Sequence, residues 1–380
     1  MKTYVNPKML EWARSRCGFS VDSLAKELKK STSEITEWEN GTKSPSYTTL
    51  EKLAYQYFKV PLAIFFFPDP PHLDDPKTKM RRLPDYELSR LSPDTFQKIS
   101  LGQAYQESVI ALLGKEMSSK AIFKDIETIS IDSIIKLAKI ARDYIGISVQ
   151  EQISFNKFDG AFKRWRHRIE NAGIFTFKDS FEDKFISGFS LFHENYPIIF
   201  INNSNAFSRQ IFTLIHELGH ILFGVNGISD IDDKYLEMMY GVEKDIEIKC
   251  NKFAAEFLIP SDIIRKELYN QNINEIFISD LSKKYSVSRE VILRRCLDNG
   301  KISNAEYISY TTKWKNDYLR NKKEKDGGSY YLTKLSYLGE GYTKIAYSNY
   351  KTGKISAVDL GQHLNMNSRY LSKLEGYLKQ

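Results

Sequence analysis

Ile211-Phe212-Thr213-Leu214-Ile215-His216-Glu217-Leu218-Gly219-His220-Ile221-Leu222-Phe223 is the stretch that decides how this chain is read. It is an apolar, helix-forming run that carries the pattern H-E-x-x-H. At 3.6 residues per turn, positions four apart lie on one helix face about a turn from each other, so His216 and His220 can close on one ion. Neutral imidazole nitrogen is a good Zn²⁺ ligand at that reach. Glu217 stands beside the first ligand, where its carboxylate can take a proton from a metal-bound water without ligating the ion itself, the task of a general base. Two ordinary core histidines are the plain alternative. With 6 histidines in 380 residues, however, a chance H-E-x-x-H is expected only about 0.006 times per chain.

A hydrolytic zinc site needs a third protein ligand and an open fourth position. Candidates lie downstream in Glu243-Lys244-Asp245-Ile246-Glu247-Ile248-Lys249-Cys250, within a helix-forming run that continues to Phe257, Leu258, Ile259 and Pro260. Cys250, Phe253, Ala254, Phe257 and Leu258 form one apolar face of that helix, and Glu247 falls on the same side as Cys250 and Asn251. Spacing alone leaves Glu247, Glu243 and Glu256 open. Tyr235 and Tyr240 lie between the two segments; either can offer a hydroxyl to a reacting carbonyl, although packing is the ordinary role of a tyrosine. Three strands are expected before the H-E-x-x-H helix, at Ile174 to Phe177, Gly188 to Phe192 and Ile198 to Asn202. The last reads as a sheet edge to which an extended peptide can add.

Working outward, residues 7 to 60 read as short helices with polar turns: Ser20 caps the second, Ser31 or Thr32 opens the third, and Asn40-Gly41 stops it. Five short helices around a small core are expected. Pro68-Asp69-Pro70-Pro71-His72 and Asp74-Asp75-Pro76 then form a stiff connector. The resulting organisation is a helical unit at 1–67, a Pro-rich connector at 68–84, a metal-binding domain at 85–300 and a helical tail domain at 301–380. The fold class is multi-domain, mainly α with a small sheet (α+β). Hydrophobic residues make up 42% and charged residues 27%, which points to neither wholesale disorder nor a membrane protein. Three scattered cysteines, Cys17, Cys250 and Cys296, give no disulfide framework, and no signal-peptide core opens the chain, so a cytoplasmic location is expected. The net charge of +7 favours an anionic partner only modestly.

These residues resemble the ImmA/IrrE family of zinc peptidases, through FTLIHELGH at 212–220 and the downstream stretch ending in NKFAAEFLIP, with support from Gly188-Phe189-Ser190 and Ile199 to Asn202. The likeness covers roughly residues 80 to 300. It implies Zn²⁺ as cofactor and a Glu as third ligand, matched here by Glu247. It also implies a protein substrate, a helix-turn-helix repressor of a mobile element, toxin–antitoxin or stress system. The first 67 residues are similar to the Cro/C1-type, or XRE, helix-turn-helix through LAKELKKSTSEITEWENGTKSPSYTTLEKLA. Arg81 and Arg82 fall where such fusions resemble one another.

In that motif the second helix of the pair enters the major groove of double-stranded DNA. Lys29, Lys30, Thr32, Ser33, Thr36 and Lys43 are the candidate contacts. Glu34, Glu37 and Glu39 put negative charge on the face nearest the phosphates, a departure from the usual reading set of Arg, Lys, Asn and Gln. Protein docking or homodimer formation through the same fold is therefore the competing use.

Overall fold

The computed structural model describes residues 5–58, 60, 62–69, 91–114, 121–127, 133–183, 185–230, 239–320 and 330–366. Arg81, Arg82, Tyr235 and all of the connector beyond Asp69 lie outside them. The described residues fall into two compact units, one within Met1–Gln103 and Phe181–Asp183, the other within Ala104–Ser180 and Lys184–Gln380. The division falls between Gln103 and Ala104, within the helix Pro93–Leu113. Among the described residues no helix is long and apolar enough to cross a membrane.

In the first unit α1 (Pro7–Arg16), α2 (Val21–Leu28), α3 (Thr32–Glu39) and α4 (Tyr47–Lys52) enclose Met9, Leu10, Leu24, Ile35, Trp38, Leu50 and Phe65. Ser20, Ser31 and Ser46 each accept a hydrogen bond from the backbone two or three positions into the helix they precede, satisfying a donor that the helix start leaves unpaired. The expected fifth helix is a short 3₁₀ turn, Leu62–Phe66, preceded by a wider π-type stretch at Leu53–Phe58. Arg14 grips both carboxylate oxygens of Glu39, at 2.6 and 2.9 Å, and so fixes α1 against α3. Glu39 is thereby a fold-holding residue.

The helix α5 (Pro93–Leu113) leads to α6 (Ile122–Glu127), α7 (Ile134–Ile145), α8 (Val149–Ile153) and α9 (Phe158–Asn171). A sheet follows from β1 (Phe175–Asp179), β2 (Ile186–Leu191) and β3 (Ile198–Asn202); α10 (Phe207–Leu222) and β4 (Gly227–Asp230) complete that region. The sheet order is β1-β3-β2-β4, with β1 and β3 parallel and the other pairs antiparallel. Ile198–Asn202 is thus an inner strand, not the edge expected from sequence. Its five residues are all buried because both faces of the sheet are covered, which is what an unbroken apolar run signifies. The edge beside α10 is β4, a short Gly-Ile-Ser-Asp segment that carries too little periodicity to be recognised beforehand.

One face of the sheet receives α10. The other is aromatic: Phe189 stacks on Phe200 at 5.0 Å, and Tyr105 on Phe177 at 4.6 Å, with Tyr342 edge-on to Phe177 at 5.1 Å. Beyond the sheet come α11 (Gly241–Leu258), α12 (Ser261–Glu267), α13 (Glu275–Tyr285), α14 (Arg289–Asp298), α15 (Asn304–Arg320), α16 (Tyr330–Leu338), α17 (Glu340–Lys351) and α18 (Ala357–His363).

Helices α16 and α17 of the stretch expected to form a tail are fastened to the second unit by a buried ion pair. Arg166 bonds Glu170 at 2.9 Å and donates to the carbonyls of Ser336, Tyr337 and Thr176, while Glu170 accepts from the Gly341 amide at 3.2 Å. A Cβ on Gly339 would come within 2.4 Å of the Arg166 guanidinium, so only glycine fits there. Burial lowers the pKa of Arg166 and raises that of Glu170, each partly offset by the other's charge. Removing one partner strands the second in a dry site. Arg166→Met is therefore expected to cost about 3–5 kcal/mol in urea unfolding, and adding Glu170→Met to recover most of it; equal losses in the single and double variants would contradict this.

Candidate metal centre

The interior of α10 is apolar on nearly every side, and residues 213 to 221 are all buried. Such a helix has to be packed from more than one direction. Against one side lies α11, and the approach is close at Gly219: a Cβ there would sit 3.1 Å from the Phe253 ring and 3.5 Å from Cys250 Cα. With the helices this near, a side chain of modest length on α11 reaches both histidines. Glu247 does so, its Oε2 lying 3.1 Å from His216 Nε2 and its Oε1 3.0 Å from His220 Nε2, while the two Nε2 atoms are 3.1 Å apart.

The three ligand-type groups stand at the corners of a small triangle, with each histidine nitrogen against a different oxygen of the carboxylate. Lone-pair-bearing atoms this close repel one another unless a proton or a cation lies among them. A tetrahedral Zn²⁺ with bonds of about 2.0–2.1 Å sets its ligand atoms about 3.3 Å apart, so the two nitrogens and the carboxylate fit the ion's open three-ligand set. Burial by itself would raise the pKa of Glu247, but the adjoining imidazoles of His216 and His220 hold it well below the usual carboxylate range. One turn further on, Asn251 Oδ1 lies 3.0 Å from His216 Nδ1, a contact that fixes the ring's orientation and leaves Nε2 facing the triangle.

Cys250 is the neighbour that sequence reading passed over as apolar packing. Its Sγ and one nitrogen of each histidine lie within 4.8 Å of one another. The sulfur also lies against Gly219, where an added Cβ would be 3.4 Å away, and burial pushes the thiol up to about 11. Glu256 is engaged elsewhere: it accepts from Arg295 at 2.8 Å and from Ser261 at 2.6 Å. Glu243 is half-buried on the first turn of α11, and Tyr240 is 79% exposed.

The sheet covers the other side of α10 with small residues. Gly188 underlies Thr213, whose Cγ2 would be 2.8 Å from an added Cβ, and Gly227 underlies the His220 ring at 2.5 Å. Between them Glu217, fully buried, accepts from Ser190 Oγ at 2.6 Å through Oε2 and from Ser229 Oγ through Oε1. Sequence reasoning missed both serines, although the repeated glycine–serine spacing in SGFS and GIS was visible. A cleft lined by Thr213, His216, Ser229, Glu247 and Asn251 continues to the α14 residues Val291 and Arg294.

In the first unit, Lys29 closes α2 in a left-handed conformation, and Lys29, Thr32, Ser33 and Thr36 are exposed. Thr36 turns its hydroxyl back to the Thr32 carbonyl at 3.0 Å. Lys30 pairs with Glu34 at 2.6 Å and Lys43 with Glu37 at 2.7 Å. Two of the expected phosphate-binding cations are thus already matched by carboxylates of α3.

If the triangle is the ligand set, Glu247→Ala is expected to lower Zn²⁺ affinity at least about a hundredfold, and Cys250→Ser less than about tenfold. Competition with a chromophoric chelator reads both, and the reverse order would assign the third ligand to sulfur.

Known proteins supply an independent comparison. Residues 169–297 match the family model of the IrrE N-terminal-like domain, and residues 10–65 match that of the helix-turn-helix. A 99-residue stretch is 36% identical to the radiation response metalloprotease IrrE of Deinococcus radiodurans, covering 26% of this chain and 30% of that protein. The matched span of 169–297 runs from the end of α9 to α14 and contains His216, Glu217, His220 and Glu247. The chain therefore carries a stretch similar to the IrrE N-terminal-like domain together with one similar to the helix-turn-helix.

Proposed function

We propose that this protein is a Zn²⁺-dependent endopeptidase that cuts a regulatory protein, most simply a helix-turn-helix repressor, and so controls a mobile-element, toxin–antitoxin or stress system in the cytoplasm. The observation that carries this reading is the convergence at 3.0–3.1 Å of Glu247 from α11 on His216 and His220 of α10, the helix that also bears Glu217. A purely structural site needs ligands but no base. The Deinococcus radiodurans relative, a radiation response metalloprotease, supports the stress-linked form of the reading.

His216, His220 and Glu247 hold the ion, and Asn251 keeps the His216 ring in register. Zn²⁺ bound there supplies a Lewis acid for the scissile carbonyl and lowers the pKa of water. Glu217 takes the proton from the attacking water and returns it to the leaving amine. The edge strand β4 adjoins the cleft through Ser229, so an extended peptide can add along β4 by backbone hydrogen bonds. That mode accepts a protein segment and asks little of its side chains.

The second reading is a DNA-binding regulator, monomeric or homodimeric, in which the metal domain is a sensor or scaffold; the helix-turn-helix match favours it. Its weak point is the pairing of Lys30 and Lys43 within the domain, since phosphate contact by either lysine has to compete with a carboxylate. The discriminating experiment compares new protein N-termini in cells expressing the wild type or Glu217→Gln, with zinc measured in both purified proteins. Equal zinc and a regulator cut only by the wild type are expected. Equal zinc with no wild-type-dependent cut, together with loss of function in Lys29→Ala/Lys30→Ala, would replace the peptidase by the regulator.

A further inference from the structure

The buried carboxylate of Glu217 has an unusual set of neighbours. It is wholly shielded from solvent, and among the described residues no cation pairs with it; its hydrogen-bond donors are the Ser190 and Ser229 hydroxyls. A charged carboxylate taken out of water needs donors, and hydrogen bonds to a charged group are worth roughly twice a neutral one. The two serines reach it from adjacent strands. In the β2–β4 register Ser229 stands opposite Gly188 and Ser190 opposite Gly227, so each serine is diagonal to the other and faces a glycine. The glycines let α10 come down onto the sheet, and the serines meet the carboxylate from either side. The Ser187 hydroxyl in turn bonds the Ser229 carbonyl at 3.2 Å, which anchors the edge strand at that point. Ser229 also lines the cleft that His216 and Glu247 line.

The geometry points to Ser190 and Ser229 as positioning residues for the reaction. They hold both oxygens of the Glu217 carboxylate in one fixed orientation, and Ser229, at once on the cleft wall and on the carboxylate, couples that orientation to what lies along β4. This rests on the peptidase reading above. Neither serine touches the ion or the reacting atoms. Each acts through Glu217, so its loss has to appear in turnover, not in metal affinity or substrate binding.

The test uses the full zinc-loaded chain with a library of fluorescence-quenched peptides and takes the best-cut peptide for kinetics. Ser229→Ala and Ser190→Ala are expected to lower kcat about ten- to a hundredfold, with KM within about twofold and zinc still at one per chain. Ser229→Thr, which restores a hydroxyl, is expected to recover most of the loss. Activity unchanged in both alanine variants would overturn the inference. So would parallel loss of zinc and activity, because the serines would then only support the ligands. Crystal structures of the zinc-loaded wild type and Ser229→Ala read the same point without a substrate: the Glu217 carboxylate is expected to rotate once Oε1 loses its donor, and an unmoved carboxylate would overturn the inference. If the wild type cuts no peptide and no cellular protein, the peptidase reading fails on its own, and the crystallographic comparison still decides whether the serines orient Glu217.

Discussion

The site depends on how closely α10 is approached from two sides. On one side Gly219 lets α11 come near enough for Glu247 to touch both imidazoles. On the other, Gly188 and Gly227 let the sheet close under Thr213 and under the His220 ring. A methyl group at Gly188 would meet the Phe200 carbonyl at 2.7 Å, backbone that cannot swing aside. Metal ligands are useful only if held within a fraction of an ångström, and rigid elements in close contact hold them better than loops do. Here a helix pair brings His216, His220 and Glu247 together, and a sheet supplies the floor beneath them.

The same packing settles the electrostatics. Two buried arginines of the second unit have specific partners: Arg166 has Glu170 and the carbonyls of α16, and Arg295 has Glu256 and Ser261. Arg142 donates to the Phe257 carbonyl at 2.5 Å and to Gln152 at 2.7 Å, which ties α7 and α8 to the end of α11. Glu217 differs in being answered by hydroxyls. Hydroxyls solvate a carboxylate without pairing it with a cation, so among the described residues Glu217 is held by the hydrogen bonds of Ser190 and Ser229.

Much of this was legible in the sequence, and the reasons are local. H-E-x-x-H on a helix is a pattern whose spacing is itself the geometry, so His216 and His220 needed no tertiary information to be brought together. Ile198–Asn202 was visible as a strand through its apolar run, but its place in the sheet was not, since an inner strand and a one-sided edge differ in what covers them. β4 escaped notice because four residues with one apolar side chain hold no period. Cys250 and Glu247 lie on the same side of α11, and periodicity cannot say how near each comes to the histidines; both come near because Gly219 lets the helices meet. The serines under Glu217 come from two strands separated by a helix in the chain, a juxtaposition that only the sheet order produces.

The central claim is that two histidine nitrogens and one glutamate carboxylate, not a cysteine sulfur, form the protein's metal site. Zinc K-edge absorption on the full chain loaded with one equivalent of Zn²⁺ measures it directly. The expected spectrum is fitted by nitrogen and oxygen scatterers at about 2.0–2.1 Å, with the outer-shell features of two imidazoles. A sulfur scatterer at about 2.3 Å would contradict the account, because the ion would then be held by Cys250.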